Sequence, residues 1–337
     1  MTKQQQKIKV RFLSNKDIAA VLNLERVIEI SEDVFTHFGR GDIHAPPKVS
    51  LPLQEAERAG MHWINSMPAF LKYKNIAGIK WVNVTSENVK RGLPVTMGVI
   101  ILNDAVTGMP IGIMDGTWIT HMRTGASTAI GAKLFARKNS SVITVVGCGA
   151  EGRTNLEATA RFFKFEEVHI VDINKKTMTD FAESMESKLN LKVVPFDSVQ
   201  NAVKESDIVI LATTAQRPLM LAAWAKPGDY ITTISCFADL DREFINVADK
   251  LYMDDKECAL GRIRKMAGVE IDEGKVYADI GEVMAGKKAK RENDREIIVY
   301  TPAGMGAVDV GVAYEALTLA ASRNLGTEMV LHESLCL

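Results

Sequence analysis

The hexapeptide Gly147-Cys148-Gly149-Ala150-Glu151-Gly152 constrains the fold of this chain more than any other stretch. Ahead of it runs Val142-Ile143-Thr144-Val145-Val146, which reads as a strand, and behind it Glu151 to Phe163 read as a helix. A second strand pattern, Val168-His169-Ile170-Val171, ends on Asp172, 20 residues past Gly152 (172 − 152). Glycines at this spacing are a weak signal alone. Between strand and helix, with an acid at that distance, they read as a dinucleotide cradle rather than a plain turn in an α/β core. The first glycine permits the tight turn, the second lets backbone approach a pyrophosphate, and the third brings helix against strand. Gly147, Gly149, Ala150, Glu151 and Gly152 are therefore the candidate cofactor residues, at a helix N-terminus whose unpaired N–H groups suit phosphate. Asp172 can accept hydrogen bonds from an adenosine ribose diol and would repel a 2′-phosphate, so the expected cofactor is NAD.

In such a fold the fingerprint marks the first strand of its domain, yet 141 residues precede Val142. They must form a substantial domain of their own. Ser14-Asn15-Lys16-Asp17 reads as a capping box, and Val27, Val34, Phe35 and Phe38 recur at helical spacing until Gly39 and Gly41. Strand-like pieces follow at Met61 to Asn65, Ile76 to Thr85, Val95 to Asn103 and Pro110 to Asp115, separated by hairpin chemistry. This half reads as α+β with a mostly antiparallel sheet. From Val142 onward strands at 142–146, 168–172, 192–196, 207–213, 229–235 and 250–254, with 297–301 as a late addition, alternate with amphipathic stretches. That alternation implies a doubly wound parallel sheet with right-handed crossovers. A last helix, Ala307 to Ser322, is expected to pack back on the first domain. The expected division is 1–125 with 305–337 for a substrate domain, and 126–304 for a Rossmann domain that holds NAD.

Net charge is −1 (41 − 42), so no global basic field points to nucleic acid. The polar start, Met1 to Lys7, lacks the apolar core of a signal peptide, and no run of about 18 apolar residues suggests a membrane span. Cys148, Cys236, Cys258 and Cys336 form no CxxC pair and fit indifferent thiols in a reducing cytoplasm. The six histidines show no ligand spacing, and no metal site is expected.

Ligands of an open α/β sheet bind beyond the carboxyl ends of its strands, at the switch point. Thr213 and Thr214 after the fourth strand, and Ser235 after the fifth, should face the nicotinamide. In the first domain Lys80 sits in the apolar run Ala77-Gly78-Ile79-Lys80-Trp81-Val82, where a buried ammonium needs a partner or a ligand unless it snorkels to water from an edge. Arg123, in His121-Met122-Arg123-Thr124-Gly125-Ala126, suits a bidentate grip on a substrate carboxylate, or an interdomain salt bridge. Lys48 follows Pro46-Pro47 and is the weakest of these cations. Asp239 and Asp241 follow the fifth strand, where an acid can serve as general base or as a helix N-cap. Met67, Phe70, Trp118 and Phe237 are loose candidates for the substrate pocket.

Several segments together resemble the ornithine cyclodeaminase/mu-crystallin family: Gly78 to Asn83, Gly108 to Gly116, Met122 to Ala126, Gly147 to Gly152, Trp224 to Gly228 and Gly304 to Asp309. The resemblance runs from about residue 10 to about residue 325 in the family's order. It implies a two-domain homodimer joined through substrate-domain sheets. It further implies hydride exchange between an amino-acid Cα and nicotinamide, forming or consuming an imine. By resemblance Lys80 and Arg123 hold the substrate carboxylate and Asp172 the ribose. The chain departs from the family at Lys48, where many relatives carry arginine. It departs again at Phe237, where the cyclodeaminases carry a catalytic aspartate that Asp239 replaces only if the loop is redrawn.

The expected function is thus an NAD-dependent amino-acid or imino-acid oxidoreductase acting on a small amino acid or cyclic imine. Its catalytic set is Lys80, Arg123 and Asp239, and its substrate-binding set Lys48, Lys80, Arg123 and Met67. The alternatives are a redox-neutral ornithine or lysine cyclodeaminase that releases ammonia, and a mu-crystallin-like NAD(P)H binder without turnover.

Overall fold

Ile8–Leu13 forms the first strand, β1, and Ser14 then caps helix α1 (Asn15–Val21). The Ser14 hydroxyl accepts from the Asp17 N–H at 3.3 Å while the Asp17 carboxylate accepts from the Ser14 N–H at 2.9 Å, a reciprocal capping box. Helix α2 (Leu24–Arg40) turns Val27, Val34 and Phe35 inward. Short strands β2 (Ile43–His44) and β3 (Val49–Pro52) lead into β4 (His62–Leu71), β5 (Ile76–Thr85), β6 (Thr96–Asp104) and β7 (Pro110–Asp115). The computed structural model describes residues 7–53 and 62–333; Met1–Gln6, Met61 and Cys336 lie outside the described residues.

Strands β4 to β7 pair antiparallel in sequence order, as short turns require. Asn75 closes the β4–β5 turn at φ 57°, a left-handed position that asparagine tolerates. The Asp104 carboxylate closes the β6–β7 turn by accepting from the Thr107 N–H at 2.8 Å and its hydroxyl at 2.6 Å. Side chains alternate: Asn65, Met67, Ala69 and Leu71 of β4 are buried, whereas Ile64, Pro68 and Phe70 on the other face are half-buried. In β5, Ile76, Lys80 and Val82 share the buried face and Trp81 is exposed.

Helix α3 (Thr117–Phe135) leads to β8 (Val142–Val146), α4 (Ala150–Thr159), β9 (Glu167–Val171), α5 (Lys175–Leu189) and β10 (Lys192–Pro195). Next come α6 (Val199–Ala202), β11 (Ile208–Leu211), β12 (Tyr230–Thr233), α7 (Phe244–Val247), β13 (Lys250–Met253), α8 (Lys256–Ala267), β14 (Val276–Asp279), α9 (Ile280–Met284) and β15 (Ile298–Thr301). The eight strands β8 to β15 form a parallel sheet in the order β10-β9-β8-β11-β12-β15-β13-β14. Strands β8 to β11, with helices between them, and β12, reached through a connection with one short 3-10 turn at Ala222–Trp224, give the doubly wound half expected from the alternating pattern. Two features were not expected. The late strand β15 inserts between β12 and β13, and four-residue β14 extends the edge, too short to show a pattern of its own.

Helix α10 (Gly306–Ser322) and strand β16 (Thr327–His332) complete the first sheet, whose order is β16-β1-β7-β6-β5-β4-β2 with β3 beside β4. The buried residues of α10 include Val308, Asp309, Val310, Val312, Ala316 and Leu317, and the helix packs on β4, β5 and β6. By contacts the chain splits into two units. The first comprises residues through Ile30, Gly41–Thr120 and Gly306 onward; the second comprises Ser31–Arg40 and His121–Met305. The division thus falls inside α3, after Thr120 rather than after residue 125, and gives the C-terminal part of α2 to the second unit.

Candidate active site

In the second unit the glycine turn follows β8 as the fingerprint requires. Gly147 has φ 98°, and a methyl group there would lie 2.4 Å from the Ala212 carbonyl oxygen. One at Gly152 would lie 2.0 Å from the Gly147 carbonyl oxygen, whereas one at Gly149 would meet nothing within 4 Å. The first and third glycines are needed for packing, and the second opens free space ahead of α4. There Ala150 and Glu151 offer the unpaired N–H groups of the first turn. Asp172, at the end of β9, accepts from the Cys148 N–H at 2.8 Å and from the Asn174 N–H at 2.8 Å. Its carboxylate is fixed beside the turn with lone pairs left for a diol. These residues fit the adenosine, ribose and diphosphate of NAD. Burial and the Asp172 charge push the Cys148 thiol up to about 12, so it stays protonated and inert. Among the described cysteines, Cys148, Cys236 and Cys258 are all free and buried.

Strands β8 and β11 are neighbours from which the order runs outward in both directions, so their carboxyl ends form the switch point. Thr213 lies there, half-buried, next to exposed Thr214. Asp239 does not open onto this point as a general base would. It is fully buried, accepting from the Thr213 hydroxyl at 2.8 Å, the Thr233 hydroxyl at 2.6 Å and the Ser235 hydroxyl at 2.5 Å. Burial raises its pKa against the opposing pull of those hydroxyls. The carboxylate ties the ends of β11 and β12 together, and the catalytic role expected of Asp239 gives way to a positioning one. Ser235 is likewise buried in this network. Asp241 holds the nearby loop by accepting from the Ala222 N–H at 3.2 Å. Phe237 also differs from expectation. It is 1% exposed in the apolar core, and Cys236 and Phe237 both have left-handed φ angles, 57° and 68°. It lines no pocket.

Arg123 is buried in α3, its guanidinium against Gly304 (φ 85°), where a methyl group would lie 2.9 Å from Nη1. The same loop is held by Asp254, which accepts from the Gly304 N–H at 2.7 Å and the Ala303 N–H at 2.8 Å. A fixed loop and an adjacent glycine leave room for the planar fork of Arg123.

Lys80 belongs to the first unit. Its Nζ donates to Asp309 Oδ1 at 2.6 Å and to the Thr120 hydroxyl at 3.2 Å, and neither Lys80 nor Asp309 is exposed. It is therefore no snorkelling edge lysine. Met67 is its register partner on β4, buried in the core, while Phe70 points to the opposite face and is removed from the Lys80 side. Trp118 is the second residue of α3, its N–H donating to Asp115 at 2.9 Å. Lys48 lies half-buried between β2 and β3. Asp309 and Thr120 were not singled out from sequence. Asp309 could have been, as an acid in the apolar run Gly306 to Ala313 that answers the lysine in another.

Among the described residues no three His, Cys, Asp or Glu side chains are grouped as metal ligands would be, and no helix is long and apolar enough to cross a membrane.

Comparison with known proteins agrees with this architecture. Alanine dehydrogenase of Archaeoglobus fulgidus is 33% identical over 329 residues, covering 94% of this chain and 97% of that one. The structure of Thermococcus litoralis Δ1-pyrroline-2-carboxylate reductase with NADH and L-proline superposes with a TM-score of 0.87 at 33% identity, covering 94% and 99%. An archaeal alanine dehydrogenase dimer with bound NAD gives 0.87 at 31% identity, covering 96% and 100%. The model of the ornithine cyclodeaminase/mu-crystallin family matches residues 9–318, and the chain belongs to that family.

Proposed function

We propose that the protein is an NAD-dependent amino-acid or imino-acid oxidoreductase that moves a hydride between the Cα of a small amino acid and nicotinamide through an imine. The observation that carries this reading is the open cradle at Gly147, Gly149 and Gly152 with Asp172 fixed at its side. Bound NAD supplies the hydride acceptor, chemistry that no side chain offers. Lys80 and Arg123 are assigned to neutralise the substrate carboxylate, with Asp309 and Thr120 holding the Lys80 ammonium. Lys48 adds a third cation on the substrate side. Loss of hydride from Cα leaves an iminium whose positive charge is shared with the amine nitrogen, so the amine must be neutral when the hydride departs. Thr213, Thr214 and Ser235 border the nicotinamide, with Asp239 keeping Thr213 and Ser235 in place.

A homodimer in the cytoplasm is part of this reading. On the outer face of the first sheet, Pro68, Ile79 and Ile101 stand in one row and Trp81 and Val99 in the next, and Trp81 is 42% exposed. An apolar sheet face suits a second copy of the same face. The archaeal alanine dehydrogenase neighbour is a dimer.

A panel of alanine, ornithine, lysine, arginine and cyclic imines, followed by NADH absorbance with product analysis, tests the activity. Steady NADH formation from an amino acid, or consumption with an imine, is expected. Product without net NADH would mark a cyclodeaminase instead, and tight NADH binding without any turnover a mu-crystallin-like binder.

A further inference from the structure

Within the second unit, α3 and α4 approach so closely that a methyl group at Gly125 would lie 2.6 Å from the Thr154 carbonyl oxygen. One turn back along each helix, His121 Nδ1 meets Glu151 Oε1 at 2.8 Å. The two side chains are 21% and 24% exposed. Glu151 Oε2 is buried and has no hydrogen-bond partner among the described residues. The dinucleotide fingerprint uses the backbone N–H of Glu151 and assigns nothing to its carboxylate or to His121.

Glu151 is the second residue of α4, and side chains of a helix lean toward its N-terminus. Its carboxylate therefore lies at the end where the coenzyme diphosphate binds in the reading above. A bare carboxylate there would repel the diphosphate. His121 resolves the conflict when it is positively charged, and imidazole is the side chain whose charge changes near neutral pH. A docked diphosphate brings further negative charge to this end of α4, which a charged imidazole would offset. Other charged groups nearby are Arg123, two residues on in α3, and Arg153, two residues on in α4, whose guanidinium lies 5.1 Å from the Phe181 ring centre. Asp172 at the end of β9 accepts from two backbone N–H groups.

We propose that His121 and Glu151 form a proton-linked grip on the coenzyme, in which the imidazole takes a proton from solvent as the diphosphate docks. The N–H bond on the ring is the one bond made, and the charge gained offsets the charge brought by the ligand. This inference rests on the NAD reading.

Calorimetric titration of the whole chain with NADH, in phosphate and in Tris at one pH near neutrality, counts the protons taken up. The wild type is expected to take up about 0.3 to 1 proton per NADH, with affinity falling about five- to tenfold between about pH 6.5 and 8.5. His121→Gln should bind NADH with equal observed heats in the two buffers and with a flat pH dependence. Glu151→Gln, which keeps side-chain size and the helix start, should lower the uptake. A wild type without proton uptake, or uptake that persists in both variants, would overturn the proposal. No heat with NADH in any buffer would overturn the coenzyme reading itself, and this inference with it.

Discussion

Lys80 Nζ lies 2.6 Å from Asp309 Oδ1 in the interior of the first unit, joining the middle of β5 to the first turn of α10. An ion pair with no exposure is held against a large desolvation cost, so removing either partner is far more damaging than replacing both. Asp309→Asn and Lys80→Met should each lower stability by about 3–5 kcal/mol, and the double variant should regain most of the loss. Chemical denaturation measures this. If the lysine also holds substrate, the stable double variant will still lack amino-acid oxidation. Full activity in that protein would reduce Lys80 to a structural role.

Arg123→Ala should lower kcat/KM by about 10²–10³, roughly 3–4 kcal/mol, as expected for deleting one preorganised charge-stabilising group. NADH affinity should change little, because Arg123 is assigned to the substrate carboxylate. Activity within a few-fold of wild type would remove that assignment.

Asp172→Ser should relax the preference for NAD over NADP. The serine can still bond a ribose but no longer opposes a 2′-phosphate. Steady-state kinetics with both coenzymes gives the ratio. A wild type that already favours NADP would contradict the role given to this carboxylate.

Asp279 should make stability depend on pH. Burial first, and the neighbouring Asp255 charge second, raise its pKa from 3.8 to about 7. The folded state thus retains a proton that the unfolded chain has released, and the resulting stabilisation is complete below the unfolded value. It is lost as pH rises through about 7. Asp279→Asn mimics the protonated form and keeps a capping side chain for α9. Its melting temperature should exceed wild type most at about pH 8, with the gap narrowing as pH falls and closing only below about pH 4. Equal pH profiles for the two proteins would show that Asp279 is not the group responsible.

The dinucleotide half was legible because local chemistry dictates it. Gly147 and Gly152 are fixed by contacts with backbone oxygens, and Asp172 by its place at a strand end. The strand-like run Ile76 to Thr85 likewise matched β5 of an antiparallel sheet. By contrast β4 runs on to Leu71, past the expected end at Asn65, and only the structure decides between a buried and an edge Lys80. What stayed hidden depends on residues distant in sequence. Nothing adjacent to Asp239 shows that Thr213, Thr233 and Ser235 converge on it and take it out of the solvent. Phe237 aligned with a catalytic position, yet its left-handed backbone turns it into the apolar core. The pairing of His121 with Glu151 needs the approach of two helices that only the tertiary fold specifies.

The discontinuity of the first unit has a consequence for biosynthesis. Strands β4 to β6 leave the ribosome long before α10, the helix that covers their inner face, and before β16, the partner of β1. The intervening residues, His121–Met305, can close their own sheet in the meantime. Until the last segment emerges, the nascent sheet keeps an uncovered apolar side that carries an uncompensated ammonium at Lys80, a state suited to chaperone capture and prone to premature association.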